Sequence, residues 1–340
     1  MLVLVPDNQV EEADIERAAL GPGADLRLFR CQRGESVPDA LWRECDGIVM
    51  WHEFRLTAAL VARLQRCRIV VRCGVGYDNI DVAACTRHGI PVCNVPNYGT
   101  TEVADHAIAL LLALTRGLFP YQERLRADPV VGFRYDAVPV VRRIRGRRLG
   151  IVGLGRIGTA VARRALALDM AVAFFDPHVG EGWDLALGLA RCDSLEALLA
   201  TVDAVSLHVP LTPETRGMIG SKTLAAMKRD AILINTARGA VVDLDALHAC
   251  LQQRHLAAAA LDVLPSEPPD PRHPLIVAWR EGADWLRHRL LLTPHAAFYS
   301  EDGFRDLRRL GAETAALWLG AGRLRNNVNP EFRHQAPIGR

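Results

Sequence analysis

The stretch RLGIVGLGRIG (148–158) constrains the fold more than any other part of the chain. An apolar run leads into Gly153, Gly155 and Gly158, and a helical pattern, TAVARRALAL, follows at once. A second apolar run, MAVAFFD, then ends in Asp176, eighteen residues after Gly158. Strand, glycine turn, helix, strand and terminal acid make up the context in which three glycines at this spacing bind a dinucleotide. Gly153 permits the tight turn, Gly155 lets a pyrophosphate approach the backbone, and Gly158 lets helix and strand pack closely. The helix N-terminus faces the phosphates, where Arg156 adds a charge-assisted contact and Ile157 joins the cofactor-binding set. Asp176 is placed to accept hydrogen bonds from the adenosine ribose and to repel a 2′-phosphate, which favours NAD over NADP.

The same alternation runs along the rest of the chain. LVLVP (2–6), GIVM (47–50), RIVVRCG (68–74) and IPVCNVP (90–96) read as buried strands, with VEEADIERAAL and TAALVARLQ at helical spacing between them. EVADHAIALLLALTRGL (102–118) predicts a long helix buried on most faces, as between two domains. A second series follows: RLGIVGLG, MAVAFFD, AVSLHVP, AILINTA, LAAAALDV and RLLLTPH, mostly with helices between. This predicts an α/β protein of two Rossmann- or flavodoxin-like domains with doubly wound parallel sheets and the active site in the cleft between them. The domains are expected at 1–101 plus 292–340, and at 102–291. The five arginines of VRRIRGRRLG (141–150) read as a solvated approach to the strand after them.

Composition excludes other classes. A net charge of +2 gives no field for nucleic acid or a membrane surface, and no window approaches a membrane span. The N-terminus turns acidic without a basic region, so no signal peptide is expected. The eight cysteines show no metal spacing and read as free thiols of a cytoplasmic protein, Cys73 and Cys93 included.

Three polar residues stand just past strands of the second series: Arg238 in INTARGAVVD, Glu267 in LDVLPSEPP and His295 in TPHAAF. Ligands bind beyond the carboxyl ends of such strands. Reduction of a keto acid needs a cation for the carboxylate and carbonyl, an acid for the alkoxide, and a partner that keeps the acid protonated. Arg238, His295 and Glu267 supply one of each.

With GVGYDNID (74–81), NVPNYGTTEVADHA (94–107), GLGRIG, INTARGAVVD, ALDVLPSEPP and TPHAA, the chain resembles the D-isomer-specific 2-hydroxyacid dehydrogenases over nearly its whole length. NVP, DNID, SEP and HAAFYS together resemble the C-terminal-binding-protein-like branch most. The resemblance implies an Arg238–Glu267–His295 triad and substrate contacts from the backbone of Val75 and Gly76. It places Asp262 and the Thr236–Ala237 backbone at the nicotinamide end, with Arg238 and His295 touching both cofactor and substrate and Phe298 touching the substrate. Val209, Pro210 and Thr212 would line the cofactor, and Phe298 would stand where the corepressor branch has Trp. A homodimer, a small 2-keto or 2-hydroxy acid partner and no metal are also implied.

WREGADWLRH (279–288) lengthens the stretch between Glu267 and His295 and reads as a surface elaboration with an extra helical turn. Two other readings share the scaffold. One is an NAD(H)-sensing binding protein like the corepressors, the other an oxyacid dehydrogenase of the phosphite type.

Overall fold

The structure, a computed structural model, describes residues 1–136, 138 and 141–332. Residues 333–340, the end of the expected first domain, lie outside the described residues. The chain divides into two compact units. One joins Met1–Gly99 to the segment from Tyr299 onward; the other is Thr100–Phe298.

The first unit holds a five-stranded sheet of β1 (Leu2–Val5), β2 (Asp25–Leu28), β3 (Gly47–Met50), β4 (Val70–Arg72) and β5 (Val92–Asn94). Its order is β2-β1-β3-β4-β5 and every pairing is parallel. Its helices are α1 (Asp14–Leu20), α2 (Asp39–Glu44), α3 (Ala58–Val61), α4 (Val82–Arg87) and, from the far end of the chain, α13 (Glu301–Ala321). TAALVARLQ therefore yields only one turn of helix. The strand β2 and the helices α2 and α4 are too short and too mixed in polarity to stand out as periodic segments.

Ser300 starts α13. Its hydroxyl accepts from the Gly303 N–H at 2.9 Å, and Glu301 and Asp302 place negative charge in the first turn. The helix packs on α1, β3 and β4. Arg308 forks onto Glu16, both contacts at 2.7 Å, and reaches Asp14 at 3.0 Å. Glu16 and the Arg308 head are both largely buried, so each charge depends on the other. A second tie is Asn329, fully buried. It accepts from the Val92 N–H at 2.7 Å and donates to Thr86 and Ile90.

The second unit opens with α5 (Thr100–Arg116) and α6 (Leu118–Ala127). Then come β6 (Arg148–Val152), α7 (Arg156–Ala167), β7 (Ala171–Phe175), α8 (Trp183–Leu187), β8 (Ala190–Arg191), α9 (Leu195–Leu199) and β9 (Ala204–Leu207). It ends with α10 (Ser221–Ala226), β10 (Ile232–Asn235), α11 (Leu244–Gln252), β11 (Ala258–Leu261), α12 (Pro274–Arg280) and β12 (Leu290–Leu292). The sheet runs β12-β11-β10-β9-β6-β7-β8, all parallel. The order reverses between β6 and β9, the switch point of a doubly wound sheet.

Alternate strand residues feed two cores. Ile151, Phe174, Ile234 and Ala260 join one, while Val152, Val205, Leu233 and Leu261 join the other. Both faces are covered, so the strands read as unbroken apolar runs. The helix α5 is buried along one broad face and packs on α7, β10 and β11 of its own unit. Among the described residues no single helix is long and apolar enough to cross a membrane.

The arginine-rich approach to β6 is tied at its rim. Arg142 donates to the Asp230 carbonyl at 2.8 Å, and Arg147 lies 3.6 Å from Asp203. WREGADWLRH lies mostly at the surface, with Leu286 its one buried residue. Trp279 and Arg280 finish α12, after which the chain turns. Trp285 meets His248 edge-on at 5.5 Å, and Leu286 is buried in the core. Just beyond, the buried Arg289 donates to the carbonyls of Leu251 and Ala257, closing the C-terminal end of α11.

Arg308→Met leaves Glu16 as an unpaired buried charge and should destabilise the fold by about 3 kcal/mol in urea unfolding. Adding Glu16→Leu should recover most of that loss. An unchanged unfolding midpoint for the single variant would mean the pair carries no stability.

Candidate active site

The glycine turn after β6 is fixed by close approach. Gly153 has φ +91°, and a Cβ there would lie 2.7 Å from the His208 carbonyl oxygen beyond β9. A Cβ on Gly158 would lie 2.1 Å from the Gly153 carbonyl oxygen. Gly155, the residue capping α7, is the opposite case: a Cβ on it would meet nothing within 4 Å. The space left at a helix N-terminus, with its unpaired N–H groups, is what a pyrophosphate requires. Arg156 and Ile157 begin the helix.

Asp176 follows β7, and its carboxylate fastens this turn. One oxygen accepts from the Leu154 N–H and the other from the His178 N–H, both at 2.8 Å. Val209 and Pro210 follow β9, and the Thr212 N–H donates to the Thr215 hydroxyl at 2.8 Å. Thr236, at the end of β10, has a buried hydroxyl with no hydrogen-bond partner among the described residues. Open room above α7 and this orphaned hydroxyl fit the residues to a dinucleotide.

Arg238, Glu267 and His295 follow β10, β11 and β12, which are neighbours in the sheet. The Asn235 side chain braces the Arg238 segment by donating to the Arg238 carbonyl at 2.9 Å and accepting from the Ala237 N–H at 3.0 Å. Arg238 itself donates to the Ala237 carbonyl at 2.7 Å. A Cβ on Gly239 would sit 1.9 Å from the Leu264 carbonyl carbon, so the Arg238 loop presses directly on the loop that carries Glu267.

The Glu267 carboxylate accepts from the Leu264 N–H at 2.9 Å with one oxygen and meets His295 Nδ1 at 2.7 Å with the other. A carboxylate only accepts, so Nδ1 carries a proton, and Nε2 is the ring nitrogen through which the side chain can gain or lose one. The His295 ring also stands edge-on to Phe298 at 6.1 Å.

His295 has φ +52°, a left-handed conformation that costs a non-glycine residue roughly 1–3 kcal/mol. The cause is Asp262, buried just after β11. Its Oδ1 accepts from the Thr293 hydroxyl at 2.6 Å and the Ala296 N–H at 2.9 Å; Oδ2 accepts from the Ala297 N–H at 3.0 Å. Its carbonyl accepts from the His295 N–H at 2.8 Å. Behind Thr293 lies His106 of α5, with Nε2 at 3.1 Å from the hydroxyl. Sequence reasoning missed His106 and Thr293 altogether. Their one signal was a histidine in an otherwise apolar stretch of helix.

Val75 and Gly76 belong to the first unit and follow β4, where the Val75 carbonyl accepts from the Asn94 amide at 2.7 Å. Cys73 and Cys93 nearby in sequence are buried free thiols. Burial pushes the Cys73 thiol far up and the Cys93 thiol up to about 11, which suits inert packing.

Residues 108–297 match the family model described as "D-isomer specific 2-hydroxyacid dehydrogenase, NAD binding domain". The chain is 38% identical to a glyoxylate reductase of Korarchaeum cryptofilum over 304 residues, 87% of this chain and 86% of that protein. It superposes on the D-lactate dehydrogenase of Aquifex aeolicus, solved with NAD and lactic acid, with a TM-score of 0.82 at 28% identity, covering 96% of this chain and 98% of that one. For an NADPH-dependent glyoxylate/hydroxypyruvate reductase of Sinorhizobium meliloti, solved with NADP and malonate, the TM-score is 0.84 at 30% identity, covering 98% and 99%. The chain therefore belongs to the D-isomer-specific 2-hydroxyacid dehydrogenase family and is an NAD-dependent 2-hydroxyacid dehydrogenase.

Proposed function

We propose that this enzyme interconverts a small 2-keto acid and the D-2-hydroxy acid, with Arg238, Glu267 and His295 as its catalytic residues. The observation that carries the reading is the 2.7 Å contact of His295 Nδ1 with Glu267, on the strand edge next to Arg238. NADH supplies the hydride for the C2 carbonyl when it is bound. Arg238 holds the substrate carboxylate and draws charge from the carbonyl oxygen, which a planar guanidinium does well. His295 gives a proton from Nε2 to that oxygen, and Glu267, holding Nδ1, keeps the ring oriented. Val75 and Gly76 take the carboxylate by their backbone in this reading, and Phe298 supplies an apolar wall.

Gly153, Gly155, Arg156, Ile157 and Gly158 would hold the pyrophosphate. Val209, Pro210, Thr212, Thr236, Ala237, Asp262 and His295 would line the rest of the dinucleotide. Asp176 selects NAD, because a 2′-phosphate would meet its carboxylate. Retention of all eight cysteines as free thiols suits a cytoplasmic enzyme. Two copies pair through the second unit, where the exposed Leu118 and Phe119 line an apolar groove of about 540 Å³ between α5, α6 and residues 278–293.

Three measurements test this. His295→Ala should lower kcat for glyoxylate, pyruvate or hydroxypyruvate with NADH by about a hundredfold or more; parental turnover would remove His295 from the role of acid. Asp176→Ser should narrow the NADH-over-NADPH preference in kcat/KM by about tenfold, and an unchanged ratio would place selectivity elsewhere. Light scattering should give twice the chain mass, and a monomer mass would rule out the pairing.

A further inference from the structure

The turn TPHAA is a nest of backbone N–H groups closed on one carboxylate, and the order of its hydrogen bonds can be read from donor chemistry. Asp262 is acceptor-only when ionised, so the Thr293 hydroxyl spends its single proton on Oδ1 at 2.6 Å. The Thr293 oxygen is then an acceptor towards His106, whose Nε2 at 3.1 Å must carry a hydrogen. His106 Nε2–H donates to the Thr293 oxygen, Thr293 Oγ–H donates to Asp262, and the same carboxylate accepts from the N–H groups of Ala296 and Ala297. Those two N–H groups converge only while His295 stays in its left-handed conformation.

His106 sits on α5, whose neighbouring residues Val103, Ala104, Ala107 and Ile108 are buried in the packing of the unit. It is thus a rigid donor. Without it, the Thr293 oxygen loses its donor, and Asp262 loses both a polarised partner and the imidazole whose Nε2 stands 3.7 Å from its Oδ1. We propose that His106 is a positioning residue for the reaction, acting through Thr293 and Asp262 on the backbone that aims His295. The proposal rests on the reading of His295 as the acid.

The test compares His106→Leu, His106→Gln and Thr293→Val in the full-length enzyme. His106→Leu should lower kcat about tenfold to a hundredfold while the keto-acid KM moves by less than about threefold, the signature of a misaimed catalytic group. His106→Gln should regain most of the loss, because its amide N–H can donate to the Thr293 oxygen. Thr293→Val should match His106→Leu, with little further loss when the two are combined. Imidazole ¹⁵N NMR of His295 should shift in the Leu variant and return in the Gln variant.

The proposal is overturned if His106→Leu keeps kcat and the His295 resonances of the parent, or if Gln loses as much as Leu. Should His295→Ala turn over normally, the acid reading fails instead, and the His295 resonances in His106→Leu still decide the relay.

Discussion

Parallel strands deliver all their carboxyl ends to one edge, and on the larger sheet the buried carboxylate of Asp262 determines what that edge can hold. It joins the loop after β11 to the loop after β12 through a hydroxyl and two backbone N–H groups. Gly239 joins the loop after β10 to the same centre by having no side chain where Leu264 passes. Arg238, Glu267 and His295 are therefore not on three independent loops. They ride on one interlocked piece of backbone, the condition for holding a reacting geometry without help from the substrate.

Features with local causes were legible in the sequence. Gly153 and Gly158 are required by atoms a few residues or one strand away, so their spacing alone announced the turn. The long strands of the larger sheet were legible because both their faces are covered. The strand β8 was not: it has two residues, Ala190 and Arg191, and owes its place to pairing with β7 and to the Arg191 guanidinium over the Phe174 ring. Among site residues, Glu267 and His295 could be read because each stands just past an apolar run. The bracing of His295 could not, since His106 and Thr293 are 187 residues apart and meet only after the sheet has formed. The stretch 279–288 lies mostly at the surface, as its polarity suggests, and only the burial of Leu286 was not legible. Leu286 joins the core cluster that also holds Leu275 and Leu290, residues on either side of the insertion.

Asp176 joins two demands that are separate in a sequence motif. Its position at the end of β7 suits it to ribose hydroxyls, and the same carboxylate takes the Leu154 N–H of the glycine turn. Replacing it to admit a 2′-phosphate, in the reading proposed above, also unfastens the glycine turn that would receive the pyrophosphate. A change of cofactor in this scaffold thus calls for a new acceptor for Leu154 as well as a new partner for the phosphate.

The discontinuous first unit carries a consequence for how the chain is made. Glu16 and Arg308 are separated by 292 positions, and Val92 waits for Asn329 across 237. A ribosome releases the N-terminal sheet long before either partner exists, while Thr100–Phe298 emerges with nearly all of its own contacts in hand. The inserted unit is therefore positioned to fold first during synthesis, leaving the strands that precede it as the exposed intermediate. Chaperone dependence of this protein should concentrate in Met1–Gly99, not in the dinucleotide-binding unit that follows.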